Sequence, residues 1–110
     1  MADTLGAFEQ AVLLAVLRLG EGAYGRAILK DVQTRLEREV AAGAVHATLE
    51  RLERKGFLSS SLGSGTPMRD GRARRFYRLE TDGARALDEA RYVLDRVWRG
   101  VSRPLKVRTS

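Results

Sequence analysis

The sequence predicts a mainly helical α+β domain in which three helices, a β-hairpin and a long fourth helix follow one another. Three observations carry this reading. Apolar residues recur at helical spacing over residues 4–19, 24–36, 41–55 and 81–101. Between the last two of these the period changes to alternation, in Phe57–Leu62 and Arg74–Leu79, around a Gly63-Ser64-Gly65-Thr66-Pro67 cluster with the chemistry of a loop. The length of 110 residues suits one domain with a small core.

The first helix is expected from Thr4, as N-cap, to Leu19, with Gly20 as its stop. Phe8, Ala11, Val12, Leu13, Leu14, Ala15, Val16, Leu17 and Leu19 cover nearly its whole circumference, whereas a surface helix would show a stripe. Its own core can cover one side, and a second subunit is the economical cover for the other. After Gly20-Glu21-Gly22, Tyr24–Leu36 gives a second helix with Ala27, Ile28, Val32 and Leu36 inward. Glu37–Val40 is of turn length. A third helix runs over Ala41–Lys55, ends at Gly56, and turns Val45, Leu49 and Leu52 inward. Its other face carries Ala44, His46, Ala47, Glu50, Arg51 and Arg54, and its first turn has almost no side-chain bulk. That lean turn suits a helix that approaches another surface closely. The hairpin follows, and then a helix from Thr81, capped by Thr81 or Asp82, to Val101. Its apolar stripe is Leu87, Ala90, Leu94, Val97, Trp98 and Val101.

Composition narrows the function. With no Cys and one His, disulfide frameworks, zinc fingers, iron–sulfur clusters and Cys nucleophiles are excluded, and His-based catalysis has little to work with. No cofactor is expected, and neither is an enzyme. The longest apolar run, Ala11–Leu17, is far too short for a membrane span, no secretory signal is visible, and the expected setting is the cytoplasm. The net charge of +6 is unevenly held. Residues 69–78 carry +4 and residues 96–110 carry +5, which leaves −3 for the rest. A localised excess of this kind suits a polyanion.

Helices two and three with a short turn make a helix-turn-helix, and a hairpin directly after the third helix is a wing. In such a winged helix-turn-helix the third helix enters the major groove, and the wing sets Arg residues on phosphates or in the minor groove. Element order therefore narrows "polyanion" to double-stranded DNA. The expected organisation is a DNA-binding part over residues 1–80, a long C-terminal helix over 81–103, which the resemblance given next makes a dimerisation helix, and a basic tail over 104–110.

At this level the chain resembles the PadR-type transcriptional regulators. The resemblance rests on Phe8-Glu9-Gln10-Ala11-Val12-Leu13-Leu14-Ala15-Val16-Leu17 with Ala23-Tyr24-Gly25, and on the stretch Gly43–Gly56, which follows the family's G-x-x-Y-x-x-L-x-R-L-E-x-x-G pattern. Arg74–Leu79 and Gly83 extend it, so that it covers residues 5–101. It implies a homodimeric repressor on an inverted-repeat operator, with the C-terminal helix dimerising. The compact branch with a single C-terminal helix includes members that bind small aromatic or hydrophobic effectors at the dimer interface. Three departures stand out. His46 replaces the family's Tyr, Glu80 replaces the Thr after the second wing strand, and Leu94 stands where many compact members carry Trp, with Trp98 one turn on.

The candidate DNA-binding residues are Tyr24, Arg26, Ala44, His46, Ala47, Thr48, Arg51, Lys55, Arg72, Arg74 and Arg75. Ala7, Phe8, Gln10, Ala11, Leu14, Leu94 and Trp98 are the candidates for the dimer and effector interface. Arg51 has an alternative as an ion pair with Glu50 or Glu53, and Trp98 an alternative as plain dimer core. The rival function is a winged-helix protein-interaction module without DNA binding, against which the wing's charge speaks.

Overall fold

The computed structural model describes residues 5–63 and 74–108. Helix α1 spans Ala7–Leu19, α2 Gly25–Leu36 and α3 Ala42–Arg54. Strands β1 (Leu58–Leu62) and β2 (Arg75–Leu79) form an antiparallel pair in the register Leu58↔Leu79 to Leu62↔Arg75, and α4 spans Thr81–Trp98. This is the expected order of elements, a winged helix-turn-helix with helices added at both ends.

The start of α1, the cap of α4 and the end of α4 differ from expectation, and the ends of α2, α3 and the two strands by at most one residue. Helix α1 starts after an extended Gly6, whose N–H donates to the Glu9 carboxylate at 3.1 Å. This local bond satisfies one of the free donors of the helix start, so the cap lies two residues beyond Thr4, and Thr4 itself lies outside the described residues. The cap of α4 is Glu80, not the side chain of Thr81 or Asp82. The Glu80 N–H is already held by the Phe57 carbonyl at 2.9 Å, which fixes where the helix begins. At its other end α4 stops at Trp98 rather than Val101, because Arg99 leaves the helical conformation at φ −57°, ψ 130°.

Between α1 and α2 the chain makes a 3₁₀ turn over Gly20–Gly22 and then runs extended beside β2. The Tyr77 N–H donates to the Ala23 carbonyl at 2.8 Å, and Tyr24 bridges Phe76. The sequence reading missed this short third edge of the wing sheet. Two residues are too few to show an alternating pattern. The turn between α2 and α3 passes through Glu37 in the left-handed conformation, φ 53°, with its N–H on the Gln33 carbonyl. Helix α3 ends in a Schellman pair. Phe57 N–H reaches Leu52 O and Gly56 N–H reaches Glu53 O, each at 3.0 Å, with Gly56 at φ +81°.

The core lies where α1, α2 and α3 meet the base of the hairpin. Val12, Leu13 and Val16 of α1 pack with Ile28 and Val32 of α2, Val45, Leu49 and Leu52 of α3, and Leu58 and Tyr77 of the sheet. Helix α1 is thus covered on one side. Leu14 is half-buried and Leu17 is exposed, so the helix keeps an open apolar edge. Helix α4 joins the core only through its first half, at Gly83 and Ala90. From Arg91 to Val101 every residue is exposed.

Candidate nucleic-acid interface

The face of α3 turned away from the core is made of small groups. Ala41, Ala42, Gly43, Ala44 and Ala47 are all exposed, and His46 projects among them. The His46 Nε2 lies 3.2 Å from the Glu50 carboxylate one turn on. Packing against Val45 and Leu49 fixes the helix from behind, so this face is presented rigidly. A lean helix face around one polar ring can come close to base edges, where methyl groups meet thymine methyls and ring nitrogens meet polar edge atoms.

The base of the wing adjoins this face. The Arg74 guanidinium lies over the Tyr24 ring, 4.4 Å from its centroid, and Tyr24 meets Phe76 edge-on at 5.8 Å. The Arg75 Nη1 donates to the Ser60 hydroxyl at 3.0 Å, and that hydroxyl donates to Glu53 at 2.7 Å. Tyr24, His46, Arg74 and Arg75 line one open cleft of about 550 Å³ together with Ala42, Val45 and Leu49. Four of the candidate DNA-binding residues, from three elements, are therefore brought to one place. Arg26 is exposed in the first turn of α2. Among the described residues Arg26, Arg54, Arg74 and Arg75 have no carboxylate at ion-pair distance, so their charge is free for an external anion. Arg72 lies outside the described residues.

Three candidates take other positions. Thr48 is buried, and its hydroxyl accepts a bond from the Arg51 guanidinium at 3.4 Å. Arg51 and Lys55 reach towards α1, where the Glu9 carboxylate takes them at 3.4 and 3.6 Å. Neither of the acids expected for Arg51, Glu50 or Glu53, is its partner. The acid lies 42 residues earlier in the chain. Burial would raise the Glu9 pKa, but the Gly6 N–H and the charges of Lys55 and Arg51 together hold it below the usual carboxylate value. Glu9 thereby ties the start of α1 to the end of α3, a link that no local spacing reveals. Tyr77, under the wing, has its phenol pushed above its usual value, by burial first and then by the nearby Glu53.

A second concave surface lies between α1 and α4. Ala7, Gln10, Ala11, Leu14 and Leu94 line an open cleft of about 520 Å³, which ends at Arg18 and Arg35. Those two arginines share Asp31, Arg18 at 2.6 Å and Arg35 at 3.9 Å. Five of the seven residues expected at the dimer and effector interface meet here. Phe8 packs on the core instead, and Trp98 stands farther along α4, 41% exposed.

The model of the PadR-like transcriptional regulator family matches residues 13–89, from the middle of α1 through the first half of α4. The chain belongs to this family. It is a DNA-binding transcriptional regulator. Among solved structures, this PadR-like chain is similar to a PadR family transcriptional regulator from Eggerthella lenta, with 28% identity and a TM-score of 0.63 over 81% of this chain and 75% of that one. A transcriptional regulator from Clostridium thermocellum shares the fold at 18% identity and a TM-score of 0.66, over 82% of each chain. So does BpsR of Bordetella bronchiseptica, whose DNA binding is regulated by 6-hydroxynicotinic acid. Here the identity is 19% and the TM-score 0.62, over 94% of this chain and 73% of that one. No curated protein matches the PadR-like chain. Among the described residues no helix is long and apolar enough to cross a membrane, and no three His, Cys, Asp or Glu side chains are grouped to hold a metal ion.

Proposed function

We propose that the chain acts as a homodimeric cytoplasmic repressor that reads an inverted-repeat operator. The single observation that carries this is the convergence of the lean face of α3 with Arg74, Arg75 and Tyr24 on one exposed surface. In this reading α3 lies in the major groove, with Ala44, His46 and Ala47 towards the bases. The wing arginines, including Arg72, neutralise phosphates, and Arg26 with Tyr24 contacts the backbone beside the start of α2. Thr48 supports the helix from within. Arg51 and Lys55 orient it through Glu9 and supply phosphate contacts at its edge.

Dimerisation is assigned to the helix after residue 80, and DNA binding to the part before it. The exposed apolar residues of α4, Leu94, Val97 and Trp98, and the open edge of α1 at Leu14 and Leu17 support this. Two subunits joined there would place their recognition helices one helical turn of DNA apart, about 34 Å. The cleft beside Ala11, Leu14 and Leu94 would then open onto the dimer interface. A small hydrophobic or aromatic effector seated there would favour one spacing of the helices and so shift DNA affinity. Sedimentation of the free protein tests the dimer. Mobility-shift titration, with and without flat aromatic compounds while Trp98 fluorescence is followed, tests the repressor and its effector. A monomer, or a dimer whose Trp98 emission and DNA affinity no such compound moves, contradicts the corresponding part.

A further inference from the structure

The charge at the C-terminal end has no role in the interface described above. Arg96, Arg99, Arg103, Lys106 and Arg108 follow one another without an acid, and all five are exposed. Most cations elsewhere on the helices are paired. Arg18 and Arg35 meet Asp31, Arg51 and Lys55 meet Glu9, Arg85 meets Asp82, and Arg91 meets Asp95. Among the described residues, none of the five C-terminal cations has a carboxylate at ion-pair distance. Away from the recognition surface, the other unpaired cations among the described residues, such as Lys30, Arg38 and Arg78, each stand within two residues of an acid in the chain, whereas the five at this end share a stretch that contains none.

We propose that the segment from Arg99 to Arg108 is a second DNA contact, which binds backbone phosphates outside the footprint of α3 and the wing without regard to sequence. Three features fit this partner. Regular structure stops at Trp98, the N–H groups of Arg99 and Val101 make the last bonds to α4 carbonyls, and from Ser102 on the backbone is free of helix bonds and can follow a phosphate strand. The seven residues from Ser102 to Arg108 reach up to about 23 Å when extended, roughly two-thirds of a helical turn of duplex. The apolar residues between the cations, Val101, Leu105 and Val107, include no aromatic ring, so stacking on unpaired bases, the usual device for single strands, is missing from residues 99–108. The rest of the chain already binds DNA. A tethered basic segment then meets nearby phosphates at high effective concentration, where each neutralised phosphate releases counterions. The inference rests on DNA binding by the recognition surface and is independent of any effector.

The test compares the full chain with a variant carrying Arg99→Gln, Arg103→Gln, Lys106→Gln and Arg108→Gln, on duplexes of 20 and 60 base pairs of unrelated sequence, across a salt series. On the long duplex the variant should lose about 0.9 from the slope of log K against log salt for each cation that makes a contact, and bind at least tenfold more weakly at low salt. Wild type should gain more than the variant from the longer duplex. Equal slopes on both duplexes overturn the proposal. A loss confined to binding of vesicles rich in anionic phospholipid also overturns it, since the segment would then face a membrane. If circular dichroism shows that the fourfold variant is misfolded, the pair Arg103→Gln with Lys106→Gln gives the same readout at half the size. A separate Arg74→Ala, Arg75→Ala chain distinguishes failure of the DNA-binding surface itself, because its residual slope on the long duplex should still respond to the tail substitutions.

Discussion

The joint between the wing and α4 is set by one missing side chain. A Cβ placed on Gly83 would lie 2.4 Å from the Phe57 carbonyl oxygen, 3.1 Å from its carbon and 2.8 Å from Leu79 Cδ1. Leu79 could turn aside, but the carbonyl is fixed, because it accepts the Glu80 N–H at 2.9 Å in the bond that positions the start of α4. Gly83→Ala should therefore move backbone. Overpacking of this kind costs about 1–3 kcal/mol, and the lost bond adds about 1. Alanine's better helix propensity returns roughly 1 kcal/mol, which leaves a net loss of about 2. Urea unfolding followed by circular dichroism reads this directly, and in a domain of this size the midpoint temperature should fall by roughly 8–16 °C. Since Gly83 seats the first half of α4 on the core and so aims its exposed second half, the surviving folded protein should also dimerise less well. If Gly83→Ala were as stable as wild type or more stable, helix propensity would have outweighed the contact, and the close approach of α4 to the wing would be wrong.

Four other outcomes follow from the structure. Glu9→Gln should cost about 0.5–1 kcal/mol at pH 7, because its partners Arg51 and Lys55 are partly exposed. Glu9 is held below its usual pKa, so its contribution is complete above the usual carboxylate range and is lost as pH falls through the lowered value. Urea midpoints of the two proteins should converge in acid. Glu37→Gly should stabilise by about 0.5 kcal/mol, as the left-handed φ of 53° costs an L side chain more than glycine's chain entropy does, again read by urea. Leu94→Asp should weaken the dimer by about 3 kcal/mol, roughly a hundredfold in Kd by sedimentation. Arg74→Ala with Arg75→Ala should lower the salt slope of DNA binding by about 3.6 per dimer without changing sequence preference in a mobility-shift series.

Much of this architecture was legible in the residues. The i, i+4, i+7 spacing of Val45, Leu49 and Leu52 placed α3 and, by exclusion, its exposed side. The alternation around Tyr77 and Leu79 placed the wing. What escaped the sequence shares one physical cause, contacts between distant segments. The strand-like Ala23–Tyr24 is too short to carry a period and is held by Phe76 and Tyr77. The Glu9 link to Arg51 and Lys55 joins residues some forty positions apart, where local charge spacing pointed to Glu50 or Glu53. The start of α1 and the cap of α4 were misplaced because the deciding bonds, Gly6 to Glu9 and Glu80 to Phe57, use backbone donors that every residue type but proline has. At the candidate site, the meeting of Tyr24 with Arg74 was foreseen only as two separate contacts. Their stacking depends on the third sheet edge.

Selection of bound sequences from a random duplex library by the wild-type protein tests the central claim most directly, that two α3 faces read DNA from one dimer. The enriched sites should be inverted repeats whose half-sites are centred about one helical turn apart, and His46→Ala should alter the preferred bases within each half-site while leaving the spacing intact. Enrichment of asymmetric single sites, or of no sequence at all, would contradict the account.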